Sequence, residues 1–261
     1  MSGVNLRKYM KIVIGNLKMN LNSPKERERY LSLLKKELTG QKLINTELIL
    51  LPSFIHLEAF RKSLSQKVKI GAQNFFFESK GPFTGEISPL MLSNLGCEYA
   101  LAGHSERRRY FLEKNEEISL KIIAAMKNGI APILCVGETK VEKENQETLK
   151  VISTQLKECL KGVSRTRLEK IVIAYEPVWA IGADITPSPH EIMEAKVLIR
   201  KVLVDIFGKK YAELARIIYG GSVNAKNLEA VCLEPEMDGI LIGRESLLPH
   251  ELIKIAKMVN E

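Results

Sequence analysis

Residues 171–182 read Ile-Val-Ile-Ala-Tyr-Glu-Pro-Val-Trp-Ala-Ile-Gly, and the first half of this stretch decides what kind of sheet the chain builds. An apolar run of this kind predicts a strand buried on both faces, which is typical of parallel sheets. Glu176 falls where the strand should end, Pro177 stops both strand and helix, and Gly182 gives the loop a flexible tip. Taken alone, a glutamate at such a position is most often a surface residue that faces water.

The same pattern of an apolar strand followed by an amphipathic helix recurs eight times along the 261 residues. The predicted strands are Lys11 to Asn16, Glu47 to Leu51, Val68 to Gln73, Glu98 to Gly103, Ala131 to Val136, Lys170 to Tyr175, Ala215 to Tyr219 and Met237 to Ile242. The predicted helices are Pro24 to Leu38, Ser53 to Ser65, Pro89 to Leu95, Asn115 to Asn128, Lys140 to Lys161, Pro189 to Phe207, Asn224 to Val231 and Pro249 to Val259. Ser23 and Ser188, each followed by proline, are start signals, and Gly129 and Gly208 are suitable stops.

Eight such alternations predict the α/β class and favour a (β/α)8 barrel, which forms a single domain over residues 10–261, over the alternative of a doubly wound sheet. Residues 1–9 are predicted to be a short, flexible polar extension. A barrel places its chemistry at the C-terminal ends of its strands, where the βα loops converge. Polar or glycine-rich groups follow seven of the predicted strands: Asn16 and Lys18, Gln73 and Asn74, His104 to Arg108, Glu138, Glu176, Gly220 to Ser222, and Gly243 with Arg244. We therefore expect these groups to share one mouth.

The composition is that of a globular protein, with 45% hydrophobic and 27% charged residues. The net charge of +8 is spread over predicted helices in which lysine and glutamate alternate, as in residues 25–29. The sharpest basic cluster, Arg107 to Arg109, is not interleaved with stacking aromatic residues, so we expect no nucleic-acid partner. Every apolar run is shorter than the roughly 20 residues that a membrane-spanning helix needs, and no membrane partner is expected.

The four cysteines, at positions 97, 135, 159 and 232, lack the spacing of metal ligands. Reduced thiols in the core are therefore the expected state, rather than disulfides or a zinc site. The first ten residues also lack the apolar core of a signal peptide. These features together predict a cytoplasmic location.

Four short motifs, in this order along the chain, resemble the triosephosphate isomerase family: Gly15 to Asn20, Gly103 to Arg108, Ala174 to Gly182 and Tyr219 to Val223. Supporting segments are Gly71 to Asn74, Phe83 to Ser88 and Leu134 to Thr139. The resemblance covers nearly the whole chain from about residue 10 onward. It implies reversible interconversion of dihydroxyacetone phosphate and D-glyceraldehyde 3-phosphate through an enediol(ate), in glycolysis and gluconeogenesis, with no metal and no organic cofactor.

The resemblance also implies roles for the polar residues of the predicted mouth. Glu176 is the base that removes a carbon-bound proton, and His104 is the donor to the developing oxyanion. Lys18 supplies a fixed positive charge that favours the anionic substrate. Asn16 hydrogen-bonds a substrate oxygen and orders Lys18, and Glu106 lies close to Lys18 and helps to position it.

A phosphate site is expected from backbone N–H groups of glycine-rich turns, which bind an anion without formal charge. Ser222 and Gly243 are placed after strands seven and eight, where barrels commonly bind phosphate, and Gly182 should complete the site from the lid loop. Arg244 adjoins this site with a long cationic side chain that either binds the phosphate or points to solvent. The lid loop itself comprises Pro177, Val178, Trp179, Ala180, Ile181 and Gly182.

Three departures from the family pattern stand out. Leu17 replaces a common tryptophan, and Arg244 replaces the usual second glycine after strand eight. The far end of the lid, residues 183–189, contains Pro187 and Pro189, which should stiffen its C-terminal hinge because proline fixes φ. We expect loop opening to differ in rate from that of typical family members.

Two other functions stay open from the sequence: an isomerase of a related sugar phosphate, such as a tetrulose phosphate, and a non-catalytic phosphosugar-binding barrel. The segment around Thr84, Gly85 and Glu86 resembles the arm with which family members reach into a partner subunit. Three consecutive phenylalanines before it, residues 75–77, cannot all point inward, so we expect an exposed apolar patch and a homodimer.

Overall fold

The computed structural model of the chain describes residues 10–64, 68–183 and 186–260. Eight parallel strands pair in chain order and close into one barrel, in which the last strand pairs with the first. The strands are β1 (Lys11–Asn16), β2 (Thr46–Leu51), β3 (Val68–Ala72), β4 (Tyr99–Ala102), β5 (Ala131–Val136), β6 (Val172–Tyr175), β7 (Arg216–Tyr219) and β8 (Gly239–Ile242). The predicted (β/α)8 barrel is confirmed. The predicted extension at residues 1–9 lies outside the described residues.

Ten α-helices cover the barrel within the described ranges. They are α1 (Pro24–Leu38), α2 (Leu57–Ser63), α3 (Pro89–Leu95), α4 (Ser105–Tyr110), α5 (Asn115–Lys127), α6 (Lys140–Glu144), α7 (Thr148–Cys159), α8 (Pro189–Phe207), α9 (Lys209–Ala212) and α10 (Pro249–Asn260). None of the described helices is long and apolar enough to cross a lipid bilayer.

Two helix predictions were wrong. The predicted helix from Lys140 to Lys161 is broken into α6 and α7, because Gln146 takes a left-handed φ of 58° between them. The predicted helix from Asn224 to Val231 is a turn followed by a π-helical segment, Glu229–Leu233. There Asn224 and Asn227 accept hydrogen bonds from nearby backbone N–H groups and so compete with an α-helix.

Strand β6 shows how the apolar run builds two cores at once. Val172 and Ala174 face the barrel interior, whereas Ile173 and Tyr175 face the surrounding helices. Alternate residues of a strand point to opposite faces, so a parallel strand covered by helices needs apolar residues throughout. This explains why the stretch at residues 171–175 carries no polar alternation.

Caps fix where several helices begin and end. Ser23 caps α1 by accepting a hydrogen bond from Glu26 N, and Ser188 caps α8 in a capping box with Glu191. Gly208 ends α8 with a φ of 82°. These boundaries confirm the start and stop signals predicted for α1 and α8, and the cap on α8 fixes where the lid loop must end.

The two mouths of the barrel differ in chemistry. At the N-terminal mouth Arg216 donates to Glu47 Oε2 and to Tyr99 Oη, both at 3.1 Å, and Tyr99 Oη donates to Glu47 Oε1 at 3.0 Å. Each of these three side chains is therefore hydrogen-bonded to the other two. The groups predicted from the sequence to form the site lie at the opposite, C-terminal mouth.

Candidate active site

A cleft of about 440 Å³ opens at the C-terminal mouth. The predicted site residues that line it are Asn16, Lys18, His104, Ile181, Gly182, Ser222, Gly243 and Arg244. They come from the loops after β1, β4, β6, β7 and β8, so the barrel brings together groups that are far apart in sequence. Glu106 contacts Lys18 from beside the cleft, and Glu176 lies buried beneath its floor.

Lys18 is held in place by other residues that bind its backbone and its ammonium group. Its φ of 50° lies in the left-handed region, which is uncommon for a residue with a side chain. Asn16 Oδ1 accepts a hydrogen bond from Lys18 N at 3.1 Å, and Gln73 Nε2 donates to Lys18 O at 2.9 Å. The Lys18 ammonium then forms an ion pair with Glu106 at 2.5 Å. Its position at the cleft is thus set from three different loops.

His104 is the N-cap of α4, and its ring is almost fully buried. Nδ1 accepts a hydrogen bond from Glu106 N at 3.2 Å. A neutral imidazole whose Nδ1 accepts carries its proton on Nε2. Nε2 lies 3.4 Å from Glu176 Oε1 without forming a hydrogen bond to it, and His104 lines the cleft.

Glu176 follows β6 directly and is only 1% exposed. Ser105 N donates to Glu176 Oε2 at 3.0 Å, whereas Oε1 has no hydrogen-bond partner among the described residues. A buried carboxylate oxygen without a partner is costly, which favours a move toward any ligand that supplies a proton. Glu176 is therefore not the water-facing surface residue that its position at a strand end would suggest when taken alone.

Two glycines make room for Glu176. A side chain at Gly137 would place its Cβ 1.9 Å from the carbonyl oxygen of Glu176. A side chain at Gly220 would place its Cβ 2.9 Å from Glu176 Cγ. Backbone at the ends of β5 and β7 therefore packs directly on Glu176: only glycine fits at position 137, where the blocking atom is backbone, and a side chain at position 220 would push the Glu176 side chain aside.

The first turn of the lid is fastened to Glu138, which is fully buried. Trp179 Nε1 donates to Glu138 Oε1 at 2.8 Å, and Tyr175 Oη donates to the same oxygen at 3.1 Å. Val178 N also donates to the backbone carbonyl of Glu138 at 3.0 Å. Burial raises the pKa of the Glu138 carboxyl, while the hydrogen bonds from Trp179 and Tyr175 act in the opposite direction.

The tip of the lid rests on the loop after β7. Ser222 Oγ accepts a hydrogen bond from Gly182 N at 3.0 Å and donates to Ala180 O at 2.9 Å. The Ser222 hydroxyl is therefore used by the lid. The backbone N–H groups of Gly221, Ser222 and Gly243 donate to no other group in the described chain, and they can serve an anion.

The arginines that stood out in the sequence differ in their surroundings. Arg108 is turned inward and donates to Gly103 O at 2.8 Å, and Arg107 pairs with the buried Glu113. This basic run is therefore not an open cationic surface. Arg244 is exposed at the edge of the cleft and forms no ion pair with any described residue.

Several residues that shape the site were missed by sequence reasoning. The Ser105 backbone N–H holds Glu176, and buried Ser246 donates through Oγ to Gly243 O at 2.6 Å, with Asn16 O at 3.2 Å. Gln73 was noted only as a polar residue after a strand, yet it fixes the backbone of Lys18. The sequence carries no signal for Ser105, because any residue type has the N–H group that it uses.

The barrel and its mouth define the class of the protein: a (β/α)8 barrel with a candidate site at the C-terminal ends of its strands. A sequence model of the family described as triosephosphate isomerase matches residues 11–259. The chain belongs to the triosephosphate isomerase family.

Individual relatives agree over nearly their full lengths. A triosephosphate isomerase from Caldanaerobacter subterraneus is 40% identical over 94% of this chain and 97% of its own length. The one from Clostridium tetani is 42% identical over 98% of both chains, and the one from Dictyoglomus thermophilum is 44% identical over 81% of this chain and 85% of its own. The family resemblance predicted from four motifs is confirmed.

Proposed function

We propose that this protein is a triosephosphate isomerase, which interconverts dihydroxyacetone phosphate and D-glyceraldehyde 3-phosphate. The observation that carries the proposal is the convergence of a buried carboxylate, an imidazole and an ammonium group on one cleft whose far wall offers free backbone N–H groups. In a chain that matches the family over residues 11–259, this arrangement supports proton transfer on a small phosphorylated sugar.

Glu176 is the proposed base. It takes the proton from the carbon next to the substrate carbonyl, the electron pair of that C–H bond forms the carbon–carbon double bond, and the carbonyl oxygen becomes the enediolate oxygen. His104 passes the hydroxyl proton of the deprotonated carbon to the enediolate oxygen. The electron pair of the double bond then takes the carbon-bound proton back from Glu176 at the former carbonyl carbon, and a new carbonyl forms in place of the hydroxyl on the other carbon. Because Glu176 lies below the cleft, its side chain must swing upward when substrate binds and the lid closes.

His104 and Lys18 stabilise the charge that develops in this reaction. The Nε2–H group of His104 donates to the oxygen atoms that carry the enediolate charge, and it can shuttle a proton between them. The Lys18 ammonium attracts the dianionic substrate and its enediolate. Glu106 fixes the ammonium at 2.5 Å, and Asn16 holds the Lys18 backbone, so neither group needs to reorganise during the reaction.

The phosphate is proposed to bind at the far wall, against the backbone N–H groups of Ser222 and Gly243. Gly182 N, which donates to Ser222 Oγ in this structure, would join them when the lid closes. Arg244 adds a long-range positive charge at the same edge. Backbone donors hold a dianion without neutralising it, which keeps its release possible.

A homodimer is the proposed assembly. Thr84, Gly85 and Glu86 form an exposed loop next to a partly exposed cluster in which Phe76 packs on Phe77 and Phe83. Other large apolar side chains at the same mouth are also exposed: Met19, Tyr110, Phe111 and Leu112. An apolar surface of this kind marks a contact with another protein, and a second copy of this chain would cover it.

All four cysteines are buried and free, which supports the proposed cytoplasmic location.

A coupled assay tests the proposal. Purified protein is given D-glyceraldehyde 3-phosphate, and formation of dihydroxyacetone phosphate is followed through its reduction by a dehydrogenase. We expect turnover of the three-carbon substrate at a kcat/KM at least about tenfold higher than that of a four-carbon ketose phosphate, because extra atoms must fit the same closed cleft. Turnover of the four-carbon compound alone would favour a related sugar-phosphate isomerase, and binding of the phosphates without turnover would indicate a non-catalytic barrel.

A further inference from the structure

We infer that Lys143 is a positioning residue that ties the two ends of the lid loop together. The inference rests on the proposed function, because a lid matters only to an enzyme that closes over its substrate. Lys143 lies on α6, outside the cleft, and contacts both the segment that enters the lid and the helix that follows it.

At the entering end, Trp179 is contacted on two sides by a single stretch of chain. Its indole N–H donates to Glu138 Oε1 at 2.8 Å, and the Lys143 ammonium lies 4.9 Å from the centre of its ring. A cation above an indole face is attracted to the π electrons. Glu138 and Lys143 are only five residues apart and are joined by the N-terminal turn of α6, so they contact Trp179 as one unit.

At the leaving end, the same ammonium binds Glu191. Lys143 Nζ donates to Glu191 Oε1 at 2.6 Å. The other oxygen, Oε2, accepts hydrogen bonds from Ser188 N at 2.9 Å and Ser188 Oγ at 3.0 Å, which closes the capping box of α8. Ser188 is the residue at which the lid loop ends and α8 begins. The Glu191 carboxylate thus bridges Lys143 and Ser188 at the C-terminal hinge.

The ion pair between Lys143 and Glu191 persists over a wide range of pH. The hydrogen bond from Lys143 is the largest of the causes that lower the pKa of the Glu191 carboxyl, to about 2. Glu191 therefore stays ionised at neutral pH, and it keeps its partner. About a third of each side chain in this pair is exposed, so the pair can break and reform as the lid moves.

The consequence is a coupling between the two hinges. When Trp179 moves with the lid, its ring shifts relative to the Lys143 ammonium. Lys143 then moves with the ring, and its ion pair with Glu191 at the start of α8 is weakened or strengthened. A short tether of this kind reduces the number of open-lid conformations, so less entropy is lost when the lid closes over substrate. The expected effect is on KM rather than on the chemical step.

The test uses Trp179, which is the only tryptophan in the chain and therefore reports on the lid alone. Wild type, Lys143→Met and Lys143→Arg are compared by acrylamide quenching of tryptophan fluorescence and by kcat and KM for D-glyceraldehyde 3-phosphate. Lys140→Met is the matched control, because Lys140 lies on the same helix and, among the described residues, its ammonium forms only an exposed pair with Glu144 at 3.8 Å. We expect Lys143→Met to raise quenching and to lower kcat/KM about fivefold, mainly through KM. Lys143→Arg should restore both quantities.

Glu191→Gln approaches the same coupling from its other end. The neutral amide can still cap α8, but it binds the Lys143 ammonium only weakly. We therefore expect Glu191→Gln to raise the quenching of Trp179 through Lys143, which is the residue that contacts the indole ring. If Lys143→Met matches Lys140→Met in quenching and in KM, or shifts only the melting temperature, the coupling does not exist. Quenching needs no turnover, so this result is separate from any failure of the isomerase assay.

Discussion

Ser105 and Glu176 are joined across the barrel mouth by a hydrogen bond of 3.0 Å from the backbone N–H of Ser105 to Glu176 Oε2. This bond fastens the end of β6 to the first turn of α4, whose N-cap is His104. The proposed base is therefore held beside the proposed donor but below the cleft. Its second oxygen, Oε1, is left without a hydrogen bond within the described chain. In the proposed mechanism, Glu176 reaches the substrate from this position by a movement of its side chain.

Replacing Glu176 by glutamine should abolish most of the activity and leave binding intact. Gln cannot accept the carbon-bound proton, and the loss of a general base commonly costs about a hundred- to ten-thousandfold in rate. We expect kcat to fall by this amount, while the dissociation constant for 2-phosphoglycolate, which carries a phosphate and a carboxylate, changes less than about threefold. Glu194→Gln, an exposed position on α8, is the control. A Glu176→Gln variant with more than a tenth of wild-type kcat would remove Glu176 from the mechanism.

Gly220→Ala should displace the same carboxylate without changing its chemistry. The added Cβ would lie 2.9 Å from Glu176 Cγ, and that side chain can give way more easily than backbone can. A shift of about 1 Å in a reacting group can cost about a hundredfold in rate, so we expect kcat to fall tenfold or more. Gly129→Ala is a matched control, because its φ of 78° makes the change strained although no atom lies within 4 Å. It should lower the melting temperature and leave kcat unchanged. Equal kinetic effects in both variants would contradict the steric explanation.

Arg244→Gly tests the long cationic side chain at the phosphate end of the cleft. Arg244 forms no ion pair within the described residues and lines the cleft beside Gly243. If it contacts the phosphate, the inhibition constant for inorganic phosphate should rise about three- to tenfold, with a smaller rise at high salt, because exposed charges are screened. Lys254→Met, exposed on α10, should leave that constant unchanged. An unaltered affinity in Arg244→Gly would show that the side chain points to solvent.

Pro187→Ala tests the stiffness of the C-terminal hinge. Pro187 is buried and lies two residues before the first residue of α8, so its fixed φ restricts how the lid can open. The neighbouring hinge residue Asp184 lies outside the described residues. We expect kcat and its dependence on solvent viscosity to change in Pro187→Ala, because lid motion limits turnover in many enzymes. The same viscosity profile in the variant and in wild type would exclude Pro187 as a determinant of lid opening.

Glu191 should make the protein sensitive to acid. Its pKa is lowered from 4.5 to about 2 in the folded protein, mainly by the hydrogen bond from Lys143. A lowered pKa means that the ionised form stabilises the folded state, so the contribution is complete above about pH 4.5 and is lost as the pH falls toward 2. The melting temperature of wild type should therefore fall more steeply between pH 6 and pH 3 than that of Glu191→Gln. Glu194→Gln on the same helix should keep the wild-type slope, and a parallel slope in Glu191→Gln would contradict this account.

Much of the fold could be predicted from the sequence, because the barrel repeats one pattern eight times. Each strand is marked by a short apolar run, and serine–proline pairs mark the starts of α1 and α8. The failures lie where a left-handed residue or a side-chain hydrogen bond interrupts a predicted helix. Gln146 breaks the predicted helix between α6 and α7, and Asn224 replaces a helical turn with its own hydrogen bonds. Neither effect changes the hydrophobic period, so the period could not reveal it.

The candidate site was predictable in its members but not in its arrangement. Strand-end positions and four motifs selected Lys18, His104 and Glu176, and the barrel places all three at one mouth. Nothing in the sequence indicated that Ser222 would use its hydroxyl to hold the lid, or that Gln73 would fix the backbone of Lys18. These are contacts between different loops, and their distances depend on how the barrel closes.

The sequence by itself determined the class of fold, the family and the residues at which chemistry can occur, because each of these depends on residue type and on spacing along the chain. Only the tertiary structure decided that Glu176 is buried beneath the cleft, is held by Ser105 and is accommodated by Gly137 and Gly220. A glutamate at the end of a strand has no intrinsic preference for that position. It is the packing of backbone from β5 and β7 around the end of β6 that excludes water there and leaves one carboxylate oxygen without a partner.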